Sequence, residues 1–387
     1  MRIVKFVALI AIFVGGSAVT SAQENYKDKA ENLSYQNEDF YEVKKYTESE
    51  LKFKKEPKNI ILLIGDGMGV AQVFTGLTAN KGELNLCNFK HIGFSKTQSS
   101  DNYVTDSAAG GTALASGVKT TNGTIGLDAN GKPAKTILEY AEDNQKATGL
   151  VATSSITHAT PASFIAHQPS RTMYEEIAAD FLNTDIDVFI GGGAAHFKNR
   201  KDGKDLTKDL SEKGYQIVYS MEEAEKIQNN GRLAVFTADE HNDDYQLRGN
   251  MLVDATNKAI STLSADLHGF FLMVEGSQID WGGHQNSTSF VAGEMLDFDK
   301  VIGEVLKFAI EDKETLVIVT ADHETGGMAV TGGDMSTGSV NGGFVTGNHT
   351  GIMVPVFAIG PGAEEFMGIY ENTEVFDKMM KLWKFKK

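Results

Sequence analysis

The sequence predicts an α/β protein: a doubly wound, mostly parallel sheet with helices on both faces. Six short apolar runs are the first observation: Ile60–Ile64, Gly149–Ala152, Val188–Ile190, Phe270–Val274, Leu316–Thr320 and Val354–Ile359. Their length and unbroken apolar character suit parallel strands buried on both faces. Between them lie stretches with helical spacing of apolar residues, among them Ala134–Asn144, Met173–Leu182, Gln246–Ala265 and Phe290–Ile310. Alternation of this kind builds parallel crossover units. The third observation is the polar residues at the carboxyl ends of the runs, where ligands of open α/β sheets collect. Those ends read Gly65-Asp66-Gly67, then Glu275 with Asp280 and His284 beyond it, then Asp322-His323, and His158-Ala159-Thr160 after the run near Val151.

In chain order, Met1–Ala22 has Arg2 and Lys5, an apolar run from Phe6 to Val14, and small residues ending Thr20-Ser21-Ala22. That is the pattern of a secretory signal cut between Ala22 and Gln23. The run is too short to span a bilayer and no later stretch is long enough. No cysteine stands directly after the cleavage point to carry a lipid. The protein is expected to be exported, periplasmic or extracellular, with no membrane span after cleavage. Gln23–Lys55 is a polar arm expected to lie over the domain surface or a partner subunit, and Pro57 marks its end. Residues 200–245 are charged and read as an irregular surface insertion. Thr325–Asn348, rich in Gly and Thr, reads as loop or weak hairpin.

Cys87 is the only cysteine, so no internal disulfide is available and any metal must be held by oxygen and nitrogen. A net charge of −16 argues against nucleic acid as a partner. An acidic protein that acts on an anion needs local positive charge, which bound dications supply.

Thr105-Asp106-Ser107-Ala108-Ala109 opens a small-residue helix. Two readings stand for Ser107: an ordinary helix cap, or a nucleophile with helix N–H groups aimed at the anion it attacks. No histidine lies near it in sequence, and the Gly-x-Ser-x-Gly elbow is missing, so as a nucleophile it needs another activator. Asp280 and His284 stand at i,i+4 and share one face if that turn is helical. Asp322-His323 at a strand end is costly to bury unless something pairs it. His349 precedes another apolar strand, and Asp66 lies in a glycine-flanked turn that an Asx-turn also explains. Four strand ends deliver hard ligands together, and two dications roughly 4 Å apart would neutralise them and clamp a phosphoryl group. Two readings stand for Arg171, a helix turn or two after Thr160: a solvated surface residue, or a guanidinium that clamps two phosphate oxygens. His91, His167, His196, His241 and His268 lie outside this set and are read as structural. Gly191-Gly192-Gly193 reads as a tight turn.

Together these residues resemble the alkaline phosphatase family. The matching blocks are Asp66-Gly-Met-Gly, Thr105-Asp-Ser-Ala-Ala, Thr160-Pro, Ser170-Arg171, Glu275 through Asp280-x-x-x-His284, Thr320-Ala-Asp322-His323 and His349-Thr-Gly, in family order from residue 59 to about 360. The resemblance implies a catalytic domain over 56–387, with a short or absent crown insertion between His323 and His349. It implies Ser107 as the phosphorylated nucleophile, with Asp66, Asp322 and His323 holding one Zn2+ that stabilises its alkoxide. Asp280, His284 and His349 would hold a second Zn2+ that activates water. Glu275 and Thr160 with Asp66 would hold a third ion, usually Mg2+. Arg171 would bind the phosphoryl oxygens of a phosphate monoester.

The chain departs from the best-known bacterial pattern in two places: His158 stands for an aspartate near the magnesium, and Trp281 for a lysine near the phosphate. Loss of that lysine is expected to weaken the hold on product, so that Trp281→Lys would tighten inhibition by phosphate. The family's disulfides are missing, and dimerisation is left open. Two other functions fit the same residues, a phosphodiesterase of the same superfamily and a non-catalytic exported protein that binds zinc or phosphate. Ser107 discriminates against the second, since a pure binder has no use for an activatable serine. The sulfatase pattern is absent around Ser107.

Overall fold

In a computed structural model of the chain, residues 33–228 and 231–386 are described; the expected leader Met1–Ala22 and the start of the polar arm lie outside them. The strands, in chain order, are β1 (Ser34–Gln36), β2 (Asn59–Gly65), β3 (His91–Lys96), β4 (Ala147–Ser155), β5 (Val188–Gly192), β6 (Gln216–Val218), β7 (Leu233–Phe236), β8 (Phe270–Gly276), β9 (Thr315–Thr320), β10 (Glu324–Thr325), β11 (Ala329–Asp334), β12 (Ser339–Gly343), β13 (His349–Thr350), β14 (Val354–Ile359) and β15 (Gly368–Glu371). Ten of them form the central sheet in the order β15-β3-β14-β9-β2-β8-β4-β5-β7-β6. The six apolar runs are all strands of it. β2 lies inside the sheet, parallel to both β8 and β9, and every one of its residues is buried.

The helices that matter to the site and its support are α1 (Val70–Ala79), α2 (Ser107–Ser116), α3 (Ala159–Ala162), α4 (Met251–Leu263), α5 (Gln278–His284), α6 (Thr288–Asp312) and α7 (Thr373–Trp383). Because successive strand residues face opposite ways, β2 feeds two cores. Ile60, Leu62 and Ile64 pack with α2 and α7 on one face. Ile61 and Leu63 pack with α4 and α6 on the other. That alternation is the origin of the doubly wound layering.

Two expectations need correction. Val354–Ile359 is not parallel: β14 runs antiparallel to both β9 and β3. A parallel return requires a crossover, usually a helix, and the chain between β9 and β14 contains only hairpin strands. Residues 200–245 are not an irregular insertion. They include helices Leu206–Glu212 and Met221–Lys226, and β6 and β7, which extend the sheet parallel to β5. The four-residue run Leu233–Phe236 is fully buried, but charged neighbours mask so short a run. Thr325–Asn348 holds the antiparallel hairpin β11–β12, as its composition predicts.

The described part of the polar arm lies on its own chain. β1 pairs antiparallel with β12, and the backbone N–H groups of Tyr41 and Tyr46 donate to the side chains of Asn80 and Asn88. Asp299, fully buried on α6, fastens the arm. It accepts from the Tyr41 hydroxyl at 2.6 Å and from the backbone N–H groups of Asn85 at 2.8 Å and Leu86 at 3.0 Å. Asp299→Ala strands three donors, one of them buried, and is expected to cost about 3 kcal/mol. Urea unfolding should show a lower midpoint at unchanged slope. An unshifted midpoint would contradict the assigned role.

Candidate active site

The carboxyl ends of β2, β4, β8 and β9 converge, and each brings its polar residues into one cluster. Asp66 comes directly after β2; Gly67 next to it has φ +72, and a Cβ there would meet the Asp280 backbone at 2.7 Å. Glycine is what this turn admits. β8 ends in Glu275 and Gly276 and continues into α5, so Asp280 and His284 lie one helical turn apart on one face. β9 leads to Asp322 and His323, and β13 begins with His349. β4 leads to His158, which precedes α3 and its fully buried Thr160.

Ser107 is the first residue of α2 and is 2% exposed. The cap is Asp106, whose Oδ1 accepts from the Ala109 N–H at 3.0 Å. The serine hydroxyl is thereby released from capping, and its Oγ lies 3.2 Å from His323 Nε2. The histidine absent from the neighbourhood in sequence thus arrives from 216 residues away. The small-residue run explains the close approach: a Cβ on Gly110 would meet the Asp322 carbonyl oxygen at 3.0 Å, and one on Gly111 would meet Ser163 Oγ at 2.9 Å.

Hydrogen bonds fix the imidazoles. His284 Nδ1 is 2.8 Å from the Gly347 carbonyl and His349 Nδ1 is 2.9 Å from the Thr105 carbonyl. A carbonyl only accepts, so both rings donate from Nδ1 and, when neutral, turn an Nε2 lone pair inward. Those Nε2 atoms are 3.1 Å apart, and lie 3.3 Å (His284) and 3.5 Å (His349) from the Asp280 oxygens. The Thr325 hydroxyl bonds Asp280 and also meets His323 Nδ1 at 3.2 Å. Having given its one proton to Asp280, it accepts from His323, whose Nε2 then faces Asp322 at 3.2 Å and Asp66 at 3.4 Å. Lone pairs and carboxylates aimed at one another repel unless a proton or a cation lies among them.

The electrostatics agree. Asp66 is held well above the usual carboxylate range, by burial first and then by the charges of Asp322, Asp280 and Glu275. Glu275 is pushed up to about 7, chiefly by burial. Burial also opposes the charge on Asp280, but His284, His349 and His323 outweigh it and hold that carboxyl well below its ordinary range. Both oxygens of Asp66, Glu275 Oε1, Asp322 Oδ2 and His158 Nδ1 are buried and accept no hydrogen bond from any described residue. Unpaired buried carboxylates cost several kcal/mol each. Metal ions remove that cost, and the donors are of the hard oxygen and imidazole kind that zinc and magnesium take.

Three groupings each place their donor atoms within 4.8 Å of one another: Asp66 with Asp322 and His323, Asp280 with His323 and His349, and Asp66 with His158 and Glu275. His323 and His349 are stacked, ring centroids 3.6 Å apart. Arg171 reaches the cluster beside His158. Its guanidinium meets Asp106 Oδ2 at 3.0 Å and His158 Nε2 at 3.4 Å. Trp281 is 7% exposed on α5 and faces His158 edge-on at 6.3 Å.

Three residues of the site are not legible as such in the sequence. Asp106 is visible there only as a cap, Thr325 only as a loop residue, and His241 only as structural. The available signal for His241 is its place just beyond β7, the strand that its charged neighbours conceal.

Fold and site together define a class of protein: a doubly wound α/β fold whose candidate metal ligands gather at the strand ends around a serine on a helix N-terminus. A family model for alkaline phosphatase matches residues 57–342. Alkaline phosphatase 4 of Bacillus subtilis (strain 168) is 35% identical, the match covering 86% of this chain and 90% of that protein. The alkaline phosphatase of Escherichia coli (strain K12) is 32% identical over 84% of this chain and 86% of its own. Among solved structures, the alkaline phosphatase of the Antarctic bacterium TAB5 matches with a TM-score of 0.83 at 46% identity, over 86% of this chain and 100% of that one. A variant of that enzyme with aspartate in place of a histidine, solved with Mg bound in its M3 site, matches with a TM-score of 0.82. The chain belongs to the alkaline phosphatase family, and it is a metal-dependent phosphomonoesterase.

Proposed function

We propose that the chain hydrolyses phosphate monoesters in two displacements through a phosphoserine at Ser107. The observation that carries this reading is the Ser107 hydroxyl, freed from capping by Asp106 and 3.2 Å from His323 Nε2. Asp66, Asp322 and His323 would hold one zinc ion, Asp280, His284 and His349 a second, and Asp66, Glu275 and Thr160 a magnesium ion with His158 beside it. Ions bound there act as Lewis acids, lowering the pKa of hydroxyl and water and offsetting phosphoryl charge.

Ser107 Oγ attacks phosphorus, its bond to phosphorus forming as the bond to the alcohol oxygen breaks, and the alcohol leaves with a proton. Water then attacks the phosphoserine and returns the serine with inorganic phosphate. The N–H groups of Ser107 and Ala108, ahead of the Ala109 N–H that Asp106 takes, would meet the phosphoryl oxygens. Asp106 holds the Arg171 guanidinium where it can pair with two unesterified oxygens. A diester has only one such pair to share with the whole site, so Arg171 favours the monoester. Rates on p-nitrophenyl phosphate and its bis ester test this. The monoester should dominate, and Arg171→Ala should lower kcat/KM for it by roughly 10- to 100-fold, the worth of one to two charge-assisted hydrogen bonds. A faster diester rate, or no change in Arg171→Ala, would contradict the reading.

The leader pattern of Met1–Ala22 supports export. Among the described residues no helix is long and apolar enough to cross a membrane.

A further inference from the structure

We infer that His241 is a positioning residue of this active site: its imidazole, fastened to the end of β4, fixes the rings of Trp281 and His158 on the wall nearest the phosphate. The inference rests on the function proposed above and adds to it a residue from the strand end that the sequence conceals.

His241 lies shortly past the end of β7, in a segment tied down on two sides. Thr237 donates its N–H to the Gly191 carbonyl, and Gly193 and Ala194 donate theirs to the Ala238 carbonyl. The Asn242 side chain donates to the Thr153 carbonyl, while Gln278, at the start of α5, donates to the Asn242 carbonyl at 3.0 Å. The His241 backbone therefore has little freedom relative to β4, β5 and α5.

Its ring is oriented too. The Ser155 backbone N–H donates to His241 Nδ1 at 3.0 Å. An acceptor at Nδ1 fixes the tautomer, with the remaining proton on Nε2. From that anchor the ring meets Trp281 at 5.1 Å and 78°, and His158 at 5.5 Å and 86°. Trp281 and His158 are themselves nearly perpendicular, at 88°. Three mutually edge-to-face rings interlock, because none can rotate without losing two favourable contacts. Trp281 is carried by the same helix turn as Asp280, and His158 is in contact with Arg171. A ring that holds both therefore sets the shape of the phosphate pocket without touching phosphate itself. Groups that orient first contacts in this way are worth roughly 10- to 100-fold in affinity or activity.

The test uses the two tryptophans of the chain. With Trp383→Phe as background, emission reports Trp281 alone. His241→Ala should shift that emission to the red and raise both KM and the inhibition constant for inorganic phosphate by roughly 10-fold, with kcat changed less. His241→Gln, which keeps an acceptor for Ser155 but no ring, should behave as His241→Ala and serves if the alanine variant does not fold. His241→Phe, which keeps a ring of similar size, should recover part of the phosphate affinity. Parent-like emission and phosphate inhibition in the alanine and glutamine variants would overturn the inference, whatever happens to their melting temperature. Ser107→Ala measured in parallel separates the two failures. Retained turnover there overturns the phosphoserine reading; lost turnover beside parent-like His241 variants overturns the role of His241 alone.

Discussion

Ser107→Ala is expected to remove turnover by at least ~10⁴-fold, the scale of losing a covalent nucleophile, while leaving the fold intact. The side chain occupies the first position of α2, Asp106 already supplies the cap, and alanine is the best helix former. The lost contact is the single one to His323 Nε2. Thermal unfolding should therefore move by less than about 1 kcal/mol, and metal content should stay as in the parent. Turnover of p-nitrophenyl phosphate and a melting curve on the same preparation check both halves. Measurable phosphate release well above background would contradict the nucleophile assignment.

Chelation has the second large effect, and it should appear in stability as well as in rate. Asp66, Asp322 and Glu275 are fully buried with unpaired oxygens, and Asp280 is balanced by its neighbouring imidazoles only when they carry protons. Extracting ions from such a cluster leaves mutual repulsion that only protons relieve. Each ion stabilises the folded chain by about 4 kcal/mol when free ion exceeds its dissociation constant roughly a thousandfold. EDTA should therefore abolish turnover and lower the melting temperature together, and zinc plus magnesium should restore both. Loss of activity with no change in melting would mean that the buried carboxylates are compensated by the protein itself.

Much of the fold is legible because buried strands are short and apolar. Ile60–Ile64 and Phe270–Val274 have no other place than a sheet covered on both faces. Strand direction is not legible for Val354–Ile359, since direction depends on the connection and not on the strand's own residues. Leu233–Phe236 is hidden by its charged flanks, and with it the significance of His241. At the site, residue types and their strand-end positions are readable, and the ordered motifs point to the family. Their mutual geometry is not. Nothing near Ser107 in sequence announces that His323 will stand beside it. Likewise, Asp106 and Thr325 matter only through the partners the fold brings to them: a serine relieved of capping, and a histidine turned by one hydroxyl proton.

The central claim is that phosphate passes through Ser107. Incubating the metal-loaded enzyme with labelled phosphate monoester, quenching in acid and mapping the peptides tests it most directly. The predicted result is label on the peptide containing Ser107, lost in Ser107→Ala. Turnover with no covalent label, or label on His323 instead, would contradict it.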